Sequence, residues 1–198
     1  SNKGIKSILK KLSIDSEIIT SEDIGYKIAP LINAVGRIGD PKLIIDLLTN
    51  ESKVSIDKLT KQCFSMHKER KRLTSLIEQE AVEIALSQFC NERQFLVLTK
   101  REWHPGIIGI VAARMVDKFN LPTAILAIAN DGTYRGSIRS NNRLKVNKAL
   151  DECSELLIAH GGHSAAAGFS IKEENIIKLS ERLNKIAKRE FRNIDLNK

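Results

Sequence analysis

The segment Gly161-Gly162-His163-Ser164-Ala165-Ala166-Ala167-Gly168-Phe169 joins two adjacent glycines, an imidazole and a run of very small side chains. That combination suits a place where a ligand meets backbone. Glycines permit tight turns, and absent side chains let amide N–H groups approach an anion closely. His163 can add a donor to a phosphate oxygen. The same residues also read as a helix C-terminus capped by Gly161, with the alanines opening a buried strand, and that reading leaves His163 without a role.

Three further polar clusters carry chemistry of the same kind. Asn33-Ala34-Val35-Gly36-Arg37, with Gly39 close behind, follows Pro30 as a loop or helix start. Trp103-His104-Pro105-Gly106 falls between a strand and a helix N-terminus, where α/β proteins commonly bind anions. Arg135-Gly136-Ser137-Ile138-Arg139-Ser140 reads as a strand whose alternation puts Ser137 and Arg139 on one face, and a hydroxyl beside a guanidinium is good phosphate-binding chemistry. Each has a plainer reading: Arg37 in a structural ion pair, Trp103 in a core, His104 capping a helix, Arg139 on a strand surface.

The residues for hydrolysis by this chain alone are missing from the pattern. A metal-dependent nuclease gathers carboxylates and histidines around a divalent ion. The sequence has no Asp-x-Asp, His-Glu-x-x-His or Asp-His-His run, and His160 and His163 stand as a pair near a turn. Cys63, Cys90 and Cys153 are widely spaced and suggest neither a disulfide framework nor a zinc site.

The elements that must hold these clusters follow from periodicity. Ile5, Ile8, Leu9 and Leu12 mark one helix. Thr20-Ser21-Glu22-Asp23 caps a second short one, which Pro30 should break. Asp40-Pro41 opens a helix ending near Asn50, and a long uninterrupted helix runs from about Ile56 to Cys90. Beyond it the pattern gives a strand at 95–98, a helix at 107–119 and a strand at 123–128, a β-α-β unit. A turn at Asn130-Asp131-Gly132 leads to a strand at 133–139, in which Gly136 marks a close approach. A helix at 146–158, a strand at 166–171 and an amphipathic helix at 173–191 complete the chain. The expected class is α/β, a helical connector with a long helix followed by a mixed-sheet domain. Its parts are 1–55, the long helix 56–91 and the α/β domain 92–198, with the division near Asn91.

With 198 residues, 42% of them hydrophobic, the chain is long enough to bury a core. Its net charge of +8 favours a polyanionic partner, although Lys68, Arg70, Lys71 and Arg72 also fit a solvated helix face. No apolar run approaches the roughly 20 residues that span a bilayer, and Lys10 and Lys11 interrupt the only N-terminal candidate for a signal segment. A cytoplasmic protein without a membrane partner is expected. Ser1-Asn2 reads as the remnant of a removed tag, and the chain as a fragment.

Together, the stretch Leu31 to Asp40, the stretch Trp103 to Ala112, Gly136 to Ser140 and Gly161 to Phe169 resemble, in order, the successive C-terminal motifs of the RecJ-like exonucleases of the DHH phosphoesterase superfamily. Val35 stands for the commoner alanine and Ile38 for the commoner leucine, both mild apolar changes. The resemblance implies a bacterial single-strand-specific 5′ exonuclease acting in DNA repair or recombination. It implies that a manganese or magnesium site lies in an N-terminal DHH domain absent from this chain, and that this fragment alone binds no cofactor and is inactive. It implies a DHH-associated domain that binds single-stranded DNA and works with that missing domain. Ser137 and Arg139 match positions holding the 5′ phosphate, and Arg37 a position near the DNA backbone. By the same resemblance His163 faces the catalytic cleft as a substrate contact, Gly161 and Gly162 join it among the nucleic-acid-binding residues, and Trp103 and His104 are mainly structural. DHH phosphodiesterases of short oligonucleotides or cyclic dinucleotides, a tRNA-binding domain, and a helical interaction module remain alternatives.

Overall fold

The computed structural model describes residues 2–88, 93–141 and 143–196. Two compact units divide the chain, Ser1–Leu73 and Thr74–Lys198. Asn91, where composition suggested a division, and Cys90 lie outside the described residues.

The first unit is helical. Its α1 (Lys3–Leu12) starts at Asn2, whose Oδ1 accepts from the Ile5 amide at 3.0 Å, and ends at Ser13 with φ +56°. Thr20 and Asp23 then satisfy each other: the Asp23 amide donates to Thr20 Oγ1 at 3.1 Å, and the Thr20 hydroxyl donates to the carboxylate at 2.8 Å. Lys27, with these bonds from Thr20, holds the Asp23 carboxyl down at about 2. A π-helix at Asp23–Ile28 runs directly into α2 (Ala29–Ile38).

Pro30 therefore does not break the rod, contrary to the sequence expectation. The preceding turn is widened, so that the Ala29 amide reaches back five residues to the Ile24 carbonyl, and the missing proline N–H falls at the start of α2. Asn33 to Arg37 consequently lie within a helix rather than a loop. Asp40 Oδ1 accepts from the Lys42 amide at 2.8 Å and opens α3 (Lys42–Thr49), which ends at Asn50 as its spacing predicts. The long α4 (Lys53–Gln88) gives Ile56 and Cys63 to a core with Ile8, Leu31, Val35 and Leu47. Its later residues Ile77, Ala81 and Ala85 are buried in turn.

The second unit is the mixed α/β domain expected. Its elements are β1 (Leu96–Thr99), α5 (Ile108–Phe119), β2 (Thr123–Ile128), β3 (Tyr134–Arg139), α6 (Val146–Asp151), β4 (Leu157–Gly162), β5 (Ala166–Ile171) and α7 (Ile176–Leu196). The sheet order is β1-β2-β3-β5-β4, with β1 and β2 parallel and every other pair antiparallel. Tyr134, Ile138, Phe169 and Ile171 face α7, where Leu179, Leu183 and Ile186 close the core. The opposite face is covered over β2 and β3 by α5. Gly136 lies directly under the Phe169 ring, whose Cζ would be 2.1 Å from an added Cβ, so the close approach read from the sequence is a side chain stacked on backbone.

One helix is much shorter than expected. Helix α6 stops at Asp151, a 3-10 turn spans Ser154–Leu156, and Leu157 onward is edge strand β4 rather than helix. The apolar run Leu156-Leu157-Ile158 fits either state, and the pairing of β4 with β5 decides it. Gly161 therefore does not cap a helix; the glycine pair ends a strand.

Cys63 and Cys153 are buried, and burial pushes both thiols up to about 11. No helix among the described residues is long and apolar enough to cross a membrane.

Candidate nucleic-acid interface

Alternation along β3 separates two functions. Tyr134 and Ile138 enter the core, while Arg135, Ser137 and Arg139 point to the face that carries α5. The Arg139 guanidinium is held there: Nη1 donates to Ser137 Oγ at 3.0 Å and to the Ile138 carbonyl at 2.8 Å. The first turn of α5 passes close above this pair. A Cβ on Gly109 would stand 3.0 Å from Ser137 Oγ and 3.2 Å from Arg139 Nη2. Hydroxyl and guanidinium thus act as one unit, a pairing whose chemistry suits an oxyanion.

Next to this pair the sheet has almost no side chains. Ser137 pairs with Gly168 on β5, and Gly168 with Gly161 on β4. Arg139 pairs with Ala166. Two strand spacings separate Ser137 from Gly161, about 10 Å. A Cβ at Gly161 would meet nothing within 4 Å, and one at Gly168 would meet only the Gly136 carbonyl oxygen at 3.7 Å, so both glycines are open to the face. Nothing in the fold demands glycine at Gly161.

The His163 loop is built by its neighbours. Gly162 adopts φ +146°, and a Cβ there would lie 2.5 Å from the Ala166 carbonyl oxygen, so this glycine is structurally required. The His163 amide donates to that same carbonyl at 2.8 Å, the Ser140 amide to the Ala165 carbonyl at 3.0 Å, and the Val146 amide to the Ser164 carbonyl at 2.9 Å. These bonds pin the loop tip beside the end of β3 and leave the His163 side chain exposed. Ser137, Arg139, Gly161, Gly162 and His163 therefore share one end of the sheet. His160 points elsewhere, with Nε2 3.0 Å from Asp151 Oδ1.

Arg37 belongs to the first unit. It is exposed in the last turn of α2 and lines a cleft of about 530 Å³ with Asn33, Gly36 and Pro41. Trp103 and His104 take their plainer roles. The buried Trp103 donates its indole N–H to Glu80 Oε2 at 2.7 Å, and His104 Nδ1 accepts from the Gly106 amide at 3.0 Å.

Glu80 was invisible in the sequence, one acid among several on a long helix. It also accepts from Lys100 Nζ at 2.6 Å, and the lysine, then the indole, holds its carboxyl below the ordinary 4.5. Glu80→Ala leaves a buried indole donor unpaired and should cost about 1–3 kcal/mol of unfolding free energy. Because the folded-state value is lowered, this contribution is present above pH 4.5 and fades as pH falls through the lowered value. Urea melts of both proteins between pH 7 and pH 3 check it, the gap between them narrowing with acid. Ser170, which the sequence did not single out, lies on the same face as Arg139 and accepts from Arg135 Nη1 at 2.6 Å. The alternation of β3 already pointed to Arg135.

Among the described residues, no group of three or more His, Cys, Asp or Glu side chains is placed to hold a metal ion.

The DHHA1 domain family matches residues 92–189, the stretch that holds the mixed sheet and its edge hairpin with the glycine pair and His163. Over nearly its whole length it is RecJ-like. It is 35% identical over 185 residues to the single-stranded-DNA-specific exonuclease RecJ of Bacillus subtilis, covering 93% of this chain and 23% of that protein. It is 28% identical to the RecJ of Escherichia coli, covering 92% of this chain and 33% of the relative. The crystal structure of Thermus thermophilus RecJ in complex with Mn2+ superposes with a TM-score of 0.81 at 26% identity, over 94% of this chain and 27% of that one. The chain thus spans a quarter to a third of the length of these relatives.

Proposed function

We propose that this chain is the part of a RecJ-like exonuclease that binds single-stranded DNA and presents its 5′ phosphate for hydrolysis. The observation that carries the reading is the Ser137–Arg139 pair standing beside a sheet face floored by Gly161 and Gly168. A bare floor lets a strand's backbone approach the sheet, and the Arg139 guanidinium supplies charge and planar geometry that suit a terminal phosphate. Ser137 keeps the fork oriented, so little side-chain freedom is lost on binding. The His163 imidazole adds a donor beside this floor, and Arg37 adds a cation for the DNA backbone. The relatives named above, single-stranded-DNA-specific exonucleases, support this substrate class.

The metal-dependent step belongs, in this reading, to a DHH domain outside these 198 residues, with manganese or magnesium there. This chain contributes orientation and charge neutralisation.

Fluorescence anisotropy with a long oligothymidylate, a matched duplex and a dinucleotide tests the substrate class. The single strand should bind tightest, with log affinity falling against log salt by about 0.7 per phosphate contacted. Equal binding of the dinucleotide would favour a short-oligonucleotide phosphodiesterase instead, and equal binding of duplex would overturn the proposal.

A further inference from the structure

Gly109 has no backbone reason to be glycine. It is the second residue of α5, and its φ is not positive, unlike those of Gly132 and Gly162. Glycine makes a poorer helix there than alanine would. Its reason lies across the gap to β3. The three heavy atoms nearest to an added Cβ are Ser137 Oγ at 3.0 Å, Arg139 Nη2 at 3.2 Å and Ser137 Cβ at 3.7 Å. No core side chain stands among them, so the missing side chain serves the Ser137–Arg139 pair.

Helix α5 is held close to that pair. Its Ile108, Val111, Ala112 and Met115 are buried. The turn leading into it is anchored by the buried Trp103, whose indole donates to Glu80 Oε2 at 2.7 Å, and by Lys100, whose Nζ donates to Glu80 Oε1 at 2.6 Å. In the second turn of α5, Arg114 Nη1 donates to Glu78 Oε2 at 2.5 Å. A methyl added at Gly109 is therefore taken up by the side-chain tips beneath it rather than by the helix. Ser137 Oγ would have to turn away, and Oγ is the atom that accepts from Arg139 Nη1 at 3.0 Å.

We propose that Gly109 is a positioning residue for recognition of the strand's 5′ end: by carrying no side chain, it lets Ser137 Oγ stay where it orients the Arg139 guanidinium while α5 packs directly above. Both side chains are half-buried under this turn, so the site keeps its geometry without a cap of its own. The inference rests on the reading of Ser137 and Arg139 as the 5′-end site, and deepens it.

Anisotropy with one single strand, carrying either a 5′ phosphate or a 5′ hydroxyl, tests it on the unsubstituted chain, Gly109→Ala, Ser137→Ala and the double variant. Gly109→Ala should lower the preference for the phosphorylated end about five- to tenfold, the lower end of overpacking effects because only side-chain tips must move. Its melting temperature should match or exceed that of the unsubstituted chain, alanine being the better helix former. The further loss should largely vanish in the Ser137→Ala background, where the displaced hydroxyl is already gone. Full preference retained by a folded Gly109→Ala protein, or an equal further loss in the Ser137→Ala background, would overturn the proposal and leave the 5′-end reading intact. So would a Gly109→Ala protein that melts well below the unsubstituted chain and loses both strands alike, which would make this glycine a packing requirement. No preference for the phosphate in the unsubstituted chain would overturn the 5′-end reading and the proposal with it.

Discussion

Arg139→Ala should weaken binding of a 5′-phosphorylated single strand by about 1–3 kcal/mol, roughly five- to 150-fold, and abolish any preference for the phosphorylated end. The size follows from the geometry. The guanidinium is pre-oriented by Ser137 Oγ and the Ile138 carbonyl, so a phosphate gains a charge-assisted contact without ordering a free side chain. Arg139→Lys should recover only part of the loss, because an ammonium keeps the charge but not the planar fork. Equilibrium titrations at two salt concentrations separate the two variants, with the thermal midpoint measured in parallel because Arg139 also packs near Gly109. Full affinity in Arg139→Ala would remove this residue from the site.

Two adjacent glycines should behave in opposite ways. Gly162→Ala forces a side chain onto φ +146° and against the Ala166 carbonyl oxygen, so it should lower stability by at least about 1–3 kcal/mol. Gly161→Val meets no atom where its Cβ would stand, so the melting temperature should stay close to that of the unsubstituted chain. If a strand lies on the floor between Ser137 and Gly161, the new isopropyl group occupies its path and binding should fall about tenfold or more. Calorimetry and anisotropy on both variants read the two effects independently. Unimpaired binding by a folded Gly161→Val protein would mean that the strand runs elsewhere.

Much of this arrangement was readable from residue order. Strict alternation in β3 put Ser137 and Arg139 on one face, and the apolar runs around α5 gave the β-α-β unit with correct strand limits at Thr123–Ile128 and Ala166–Ile171. What failed had local causes. Pro30 reads as a breaker because sequence rules assume α-helical spacing, and a π-turn escapes that assumption. Leu157-Ile158 reads as helix because an edge strand with one exposed side has no second apolar face to betray it; Ile158 is 53% exposed. The glycine pair stands out in the sequence, yet its backbone role depends on the pairing of β4 with β5, a contact no local pattern encodes. Glu80 was missed for the same reason, since its partners Trp103 and Lys100 lie 23 and 20 residues away along the chain.

The central claim is that the strand end lies on the β3-β5-β4 face of this chain. An amide NMR titration of the 22.1 kDa protein with a 5′-phosphorylated single strand tests it most directly. The account predicts perturbations gathered at Ser137, Arg139, Gly161, Gly162, His163 and Gly168, weaker when the 5′ phosphate is removed. Perturbations confined to α4, with the sheet amides unmoved, would contradict it and make the long helix the binding element.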